Sequence, residues 1–267
     1  MVRWEVAARR IRSCCDRTSP EGIVSSWHYG ILRSYALAGL DEFILDEFRL
    51  EEIRAEHYPH CVSRLTGLYF FESRETAFTA IDRWGIDSEL KEYVTPVNFS
   101  ASNATRVDSE WITRFKGQGV KSTDWIHAYW RGESYGDNRL TEVLASGIGL
   151  IDDSQLALKC FRDINALSPV MAKLLMLGIV AMHSGYPDVV QAIPIINRDG
   201  NKISGNYYLD ARELRATTTI NWDDAHARAF EAGFRFGNLP NLEIPNDIEF
   251  PDFGMKFDFE FSTEAAH

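Results

Sequence analysis

The sequence predicts an α+β fold, with helical and strand-like segments interspersed along the chain. Three observations carry that expectation. Leu40 to Ala55 and Glu75 to Trp84 hold apolar residues at helical spacing, and Ser168-Pro169 opens a long apolar helix that runs to His183. Leu65 to Phe71 and Leu140 to Ile151 are aromatic-rich or alternating runs of strand character. Arg198-Asp199-Gly200-Asn201 separates two further apolar runs, and Asp-Gly in that position signals a hairpin.

Residues 3 to 15 place Trp4, Ala7, Ala8, Ile11 and Cys15 roughly on one helical face, and Ser19-Pro20-Glu21-Gly22 breaks the segment. Ile23 to Tyr29 then reads as a strand, while residues 31 to 39 fit no single pattern. Leu40 to Ala55 alternates acids with Phe43, Ile44, Phe48, Leu50 and Ile53, as an amphipathic helix or two shorter ones. His57-Tyr58-Pro59-His60 ends it, because proline disfavours helix in the residue before it. After the strand Leu65 to Phe71, Ser73 is placed to cap a helix over Glu75 to Trp84, which Gly85 stops. Leu90 to Phe99 is a strand candidate, and Asn98 to Asp108 is polar enough to read as a loop. Trp111, Ile112 and Phe115 mark a short element before Gly117-Gln118-Gly119. Thr123 to Trp130 reads as helical, Arg131 to Arg139 as a loop, and Leu140 to Ile151 as a strand. Asp153-Ser154 caps a helix over Gln155 to Asn165, and Ser168 caps the next, with Pro169 at its first position. Val189 to Ile196 and Asn206 to Leu209 form the hairpin, and Asn221 to Ala232 is helical. From Leu239 onward, prolines and alternating phenylalanines suggest extended segments. The change of character after residue 152 divides the chain into residues 1–152 and an appended α+β subdomain, residues 153–267, with helices, a hairpin and an acidic tail.

Composition narrows the function. The 267 residues are 45% apolar, 25% charged and 12% aromatic, enough for a substantial core. A net charge of −11 repels phosphate backbones and membrane surfaces at long range, which disfavours broad nucleic-acid binding. Arg9, Arg10, Arg12 and Arg17 bias the N-terminal end the other way. Cys14, Cys15, Cys61 and Cys160 form no CxxC pair and no zinc-ligand spacing, so free thiols in a reducing cytoplasm are expected, with no metal site. The N-terminus lacks the apolar stretch of a signal peptide, and the run from Pro169 to His183 is too short to span a bilayer and carries Lys173, so no membrane partner is expected. Dinucleotide, P-loop and nucleophile-elbow motifs are absent. Asp152-Asp153 reads as an acidic turn capping the next helix.

Three stretches stand in an informative order: Trp27-His28-Tyr29-Gly30, then Gly67-Leu68-Tyr69-Phe70-Phe71-Glu72-Ser73, then Arg139-Leu140-Thr141-Glu142-Val143-Leu144. A histidine, a Tyr-Phe pair on a strand and a late glutamate before an aliphatic pair resemble, in that order, the ADP-ribosyltransferase family. Gly67-Leu68-Tyr69-Phe70 is similar to the motif of the poly-ADP-ribose polymerase side of the family. Thr141-Glu142-Val143-Leu144-Ala145-Ser146-Gly147 is similar to the glutamate segment of the DarT-type toxins, and the Pro59…Ser63-Arg64 stretch resembles a segment of less characterised bacterial relatives. The resemblance covers residues 23 to 151. It implies a split, mixed or antiparallel sheet that grips NAD as co-substrate. It implies contacts to NAD from His28, Tyr29, Arg64, Tyr69 and Ser73, with Glu142 as the catalytic carboxylate. It also implies an acceptor-selecting loop before the glutamate, to which Trp130, Arg131 and Glu133 belong.

The residue types suit that chemistry independently of the family. Breaking the nicotinamide–ribose bond develops positive charge on the sugar, as in glycoside hydrolysis. A fixed carboxylate stabilises charge that exists mainly in the transition state. An aromatic face holds a flat ring, and an arginine suits a pyrophosphate. Each residue also has a plainer role. Glu142 alone fits a solvent-facing strand position, Tyr69 and Phe70 fit a core, and Ser73 fits a helix cap. Arg64 fits a surface salt bridge, and Trp130 fits a packed helix end. His57 competes with His28, and Glu133 with Glu142. Leu140, two before Glu142, replaces the acid or amide of arginine-directed relatives, and Tyr29-Gly30 follows His28 in place of a small hydroxyl residue. The expected function is therefore a mono-ADP-ribosyltransferase acting on another protein side chain, a nucleic acid base or a small molecule, as a bacterial toxin or phage-defence effector. An antitoxin or other partner would bind through residues 153–267. The alternatives are a binding or immunity protein that keeps the fold without the chemistry, and an NAD glycohydrolase.

Overall fold

The computed structural model describes residues 2–14, 22–185, 191–210, 221–234 and 255–261, and these form an α+β fold. In chain order the elements are α1 (Val2–Ala7), β1 (Arg10–Arg12), α2 (Ser26–Ala38), α3 (Asp41–His57), β2 (Leu68–Phe70), α4 (Arg74–Arg83), a 3-10 turn (Ser88–Tyr93), β3 (Asn98–Asp108), α5 (Glu110–Phe115), α6 (Asp124–Trp130), β4 (Thr141–Leu150), α7 (Ser154–Leu167), α8 (Pro169–His183), β5 (Gln191–Asp199), β6 (Lys202–Asp210), α9 (Trp222–Glu231) and β7 (Phe257–Glu260). No helix among the described residues is long and apolar enough to cross a membrane.

Two antiparallel sheets organise these elements. In the first, β4 is central. Strand β3 follows it along one flank, from Asn98 opposite Leu150 to Asp108 opposite Thr141, with a bulge between Ala101 and Asn103. The other flank is shared end to end by β2, with Tyr69 opposite Leu144, and β1, with Ile11 opposite Gly149. At the junction Gly147 has φ +143°, and a Cβ there would meet the Ser100 carbonyl oxygen at 2.1 Å, so the strand crossing requires glycine. The second sheet is the meander β5-β6-β7.

Several expectations need correction. The helix expected over 3–15 ends at Ala7. Arg9 turns the chain with φ +55°, and Arg10–Arg12 pairs with β4 because Ile11 suits a strand as well as a helix. Ile23 to Tyr29 is no strand. Ile23 makes a single bridge to Ile195, and Ser25 then caps α2, its hydroxyl accepting from the His28 amide at 3.1 Å. Leu90 falls in the 3-10 turn, which Asp87 caps. Asn98 to Asp108 is a strand and not a loop. Its polar residues face solvent on a sheet flank, a position that does not demand apolar composition. The caps at Ser73, Asp153 and Ser168 and the helices they start lie close to their expected places. The extended segments expected beyond Leu239 lie largely outside the described residues, and β7 is the described part of them.

Three apolar cores support the fold. One joins α1 to α7, α8 and α9 through Trp4, Leu156, Leu175, Ile179 and Ala229. The second seats α2 and α3 on the second sheet through Tyr29, Leu32, Ile44, Ile203, Tyr207 and Phe257. Both draw residues from each side of residue 152. The third packs α3 and α6 on the first sheet through Leu50, Val107, Ile126, Tyr129 and Leu144.

Candidate active site

The third core borders a buried polar cluster. Cross-strand partners share a face, and strand residues alternate faces. Tyr69, Leu144 and Glu142 therefore point to the helix-covered side of the first sheet, while Phe70 turns to the other side and packs on Phe99, ring centroids 4.8 Å apart. Glu142 is only 6% exposed, and Val107, its partner on β3, is fully buried. The loop leading into β4 is pinned by the buried carboxylate of Asp108, which accepts from the amides of Glu110, Tyr135 and Leu140 at 3.1, 2.8 and 3.0 Å.

Arg64, 4% exposed, occupies the middle of the cluster. Its Nε donates to Glu47 Oε2 at 3.1 Å and its Nη2 to Glu47 Oε1 at 3.3 Å. Nη1 donates to the Tyr129 hydroxyl at 2.6 Å and to Glu142 Oε2 at 3.4 Å. The guanidinium carbon sits 5.3 Å from the Tyr69 ring and 5.5 Å from the Tyr129 ring. Glu47 receives a second cation, Lys116, whose Nζ donates to it at 2.7 Å and to the Tyr35 hydroxyl at 2.7 Å. Lys116 is held by the next residue. The Gly117 amide donates to Asp46 at 2.8 Å, its φ is +75°, and a Cβ there would lie 1.9 Å from the Phe43 ring.

His28 completes the cluster from the first turn of α2. Its Nδ1 lies 3.2 Å from the Tyr69 hydroxyl, which itself donates to the Arg64 carbonyl at 2.8 Å. Nε2 has no hydrogen-bond partner among the described residues and stands 3.8 Å from Glu47 Oε2. Either neutral tautomer leaves an unmet acceptor. A proton on Nδ1 bares Nε2 toward a carboxylate, and a proton on Nε2 makes His28 and the Arg64 carbonyl compete for one phenol proton. A doubly protonated ring would satisfy both sides. Burial opposes that form, with Arg64 and Lys116 adding to it against the pull of Glu47, and lowers the His28 pKa to about 4.

Burial and charge set the other groups. Burial pushes the Glu47 carboxyl up, but Arg64, Lys116 and His28 outweigh it and hold the group well below the carboxylate range. Burial opposes the Arg64 charge, and Glu47, Tyr129, Tyr69 and Glu142 more than restore it. Glu142 is raised, by burial first and by Glu47, against the opposing pull of Arg64 and Lys116. Burial raises the phenols of Tyr69 and Tyr129.

The His28 shift has a consequence for stability. A folded-state pKa below the unfolded value means that the unfolded chain binds the extra proton first as pH falls. Stability is therefore full above pH 6.5 and falls between 6.5 and about 4, with a slope of about 1.4 kcal/mol per pH unit for one proton. Denaturant titrations at several pH values should show the parent losing stability more steeply over that window than His28→Gln. Parallel curves would contradict the assignment.

The structure brings together His28, Arg64, Tyr69 and Glu142, and not the other expected residues. Tyr29, one position and about 100° around the helix from His28, enters the second core. It packs edge-on against Tyr207 at 4.4 Å and donates to the Met255 carbonyl at 2.5 Å. Ser73 caps α4 at the surface. Trp130 is buried and donates from its indole to the Leu50 carbonyl at 3.0 Å. Arg131 and Glu133 form an exposed pair with each other at 2.5 Å. Of the two histidines, His28 lies in the cluster, and His57 is exposed beside Glu56 and His127. On the near side of the cluster, Trp27 is 43% exposed with its ring 6.4 Å from that of Tyr69, which is itself half-buried, so the cluster approaches the surface there.

Sequence reasoning missed Glu47, Lys116, Tyr35 and Tyr129. Glu47 carries a usable signal: it lies three residues after Ile44 and three before Leu50, both fully buried, so an acid occupies the apolar face of α3. No family model matches this chain, and neither a curated protein nor a solved structure matches it significantly.

Proposed function

We propose that this protein cleaves NAD at the nicotinamide–ribose bond and transfers ADP-ribose to a macromolecular acceptor. The reading rests on one observation. His28, Tyr69 and Glu142, singled out in the sequence because their order resembles that of ADP-ribosyltransferases, meet around Arg64 in one buried cluster linked by distances of 2.8 to 3.4 Å. In this mechanism the ring of Tyr69, half-buried beside Trp27, packs against the nicotinamide, and His28, fully buried with Nδ1 on the Tyr69 hydroxyl, orients that ring. Nicotinamide departs with the bonding electron pair, leaving an oxocarbenium-like sugar that the Glu142 carboxylate stabilises. The acceptor nucleophile attacks the opposite face and loses its proton. Arg64, with all three of its nitrogens committed through four hydrogen bonds to Glu47, Tyr129 and Glu142, orients the carboxylate and is not free for a pyrophosphate.

A second reading, a protein that keeps the arrangement without cleaving NAD, is favoured by the near-complete burial of Glu142 and its pairing with Arg64. Incubation with NAD labelled in its adenylate phosphate, in the presence of a cell lysate later split into protein and nucleic-acid fractions, separates the two. Label in either fraction is the expected result and identifies the acceptor class. Nicotinamide release without transfer would make the protein a glycohydrolase, and neither release nor transfer would leave the second reading standing.

A further inference from the structure

The cluster's charges do not pair off locally. Glu47 takes two donors of Arg64 and the ammonium of Lys116, so one carboxylate is met by two cations. Among the described residues Glu142 receives a single long contact of 3.4 Å, from an Arg64 nitrogen that also donates to Tyr129. Arg64, from the loop before β2, contacts Glu142, and Tyr69 from β2, Glu47 from α3, Tyr129 from α6 and Lys116 from the loop after α5 belong to the same cluster and act on its charge through space. Strand β3 contributes the apolar Val107. With His28 of α2, 3.8 Å from Glu47, in its neutral form, the group is balanced when Glu47 and Glu142 are both ionised against Arg64 and Lys116. Water is nearly excluded, so a net charge there is costly.

We propose that Lys116, which makes no contact with Glu142, is the counter-charge that keeps the Glu142 carboxylate ionised and so sets the pH range of the proposed reaction. Glu47 is the bridge. It holds Lys116 by one oxygen and Arg64 by both, and its negative charge spends one of the two cations. Lys116 is thus a positioning residue that acts through charge balance. Arg64 alone already neutralises Glu47 through two hydrogen bonds, so the charge of Lys116, whose ammonium also sits 4.8 and 6.0 Å from the Tyr35 and Phe43 ring centroids, is in excess at Glu47. The inference rests on the reading of Glu142 as the carboxylate beside the sugar.

Two readouts on the full chain test it: the acid limb of the pH profile of nicotinamide release, and the titration of the Glu142 carboxyl carbon by NMR in protein labelled at glutamate, assigned with Glu142→Gln. Lys116→Met leaves one cation for two carboxylates and should move the Glu142 midpoint up by about one pH unit, with the acid limb following. Glu47→Gln leaves two cations for one carboxylate and should move it down. The double variant, again balanced, should return toward the parent, and Lys116→Arg should stay near it. An unmoved midpoint in folded Lys116→Met overturns the proposal. Where Lys116→Met does not fold, the Glu47→Gln midpoint decides in its place, and a rise or no change is the overturning result. The two ideas fail separately. Predicted midpoints in a protein that releases no nicotinamide would sink the proposed function and leave the charge pairing intact. Release with midpoints that ignore Lys116 and Glu47 would do the reverse.

Discussion

Arg64→Met should lower folding stability by about 3–5 kcal/mol, the range for breaking a buried ion pair from one side. Methionine fills much of the same volume, so the loss reports charge and hydrogen bonding more than a cavity. Without the guanidinium, Glu47 keeps Lys116, Glu142 loses the cation in contact with it, and the Tyr129 hydroxyl loses its 2.6 Å donor. Both carboxyls would then titrate higher and leave the unfolded chain comparatively favoured near neutral pH. Arg64→Lys keeps a charge but not the fork that meets both oxygens of Glu47, and it should recover part of the loss. Urea denaturation followed by far-ultraviolet circular dichroism measures it. A loss under about 1 kcal/mol, the value of an exposed ion pair, would mean that water reaches these charges.

Helices and the hairpin are legible in the sequence where the signals are local. Ser73, Asp153 and Ser168 each cap the helix they precede, and Gly200-Asn201 turns β5 into β6, with Asp199 opposite Lys202. Elements that depend on distant partners are not. Strand β3 looks like a loop because its polar composition reflects a solvated flank, and its pairing is supplied by β4 more than thirty residues later. The first turn of α2 looks like a strand because Ile23-Val24 precede it and the cap Ser25 is a single residue. The site divides the same way. Glu142 and Tyr69 share a face through strand register, and their order along the chain points to them. Glu47 and Lys116 hide among acids and polar loop residues, and only tertiary packing makes them buried charges.

The second large effect concerns Glu142. Glu142→Gln keeps the shape and still accepts from Arg64, so the fold should persist, while the negative charge beside the developing oxocarbenium is lost. Removing one preorganised electrostatic group commonly costs about 10² to 10³ in rate, some 3–4 kcal/mol of transition-state stabilisation. The loss should fall on kcat more than on KM, because the charge it answers appears mainly in the transition state. Nicotinamide release from NAD by purified parent and Glu142→Gln, side by side at neutral pH, is the most direct measurement. Measurable release by the parent and a drop of at least about a hundredfold in the variant is the expected result. Equal release by the two proteins, or none by the parent, would contradict it.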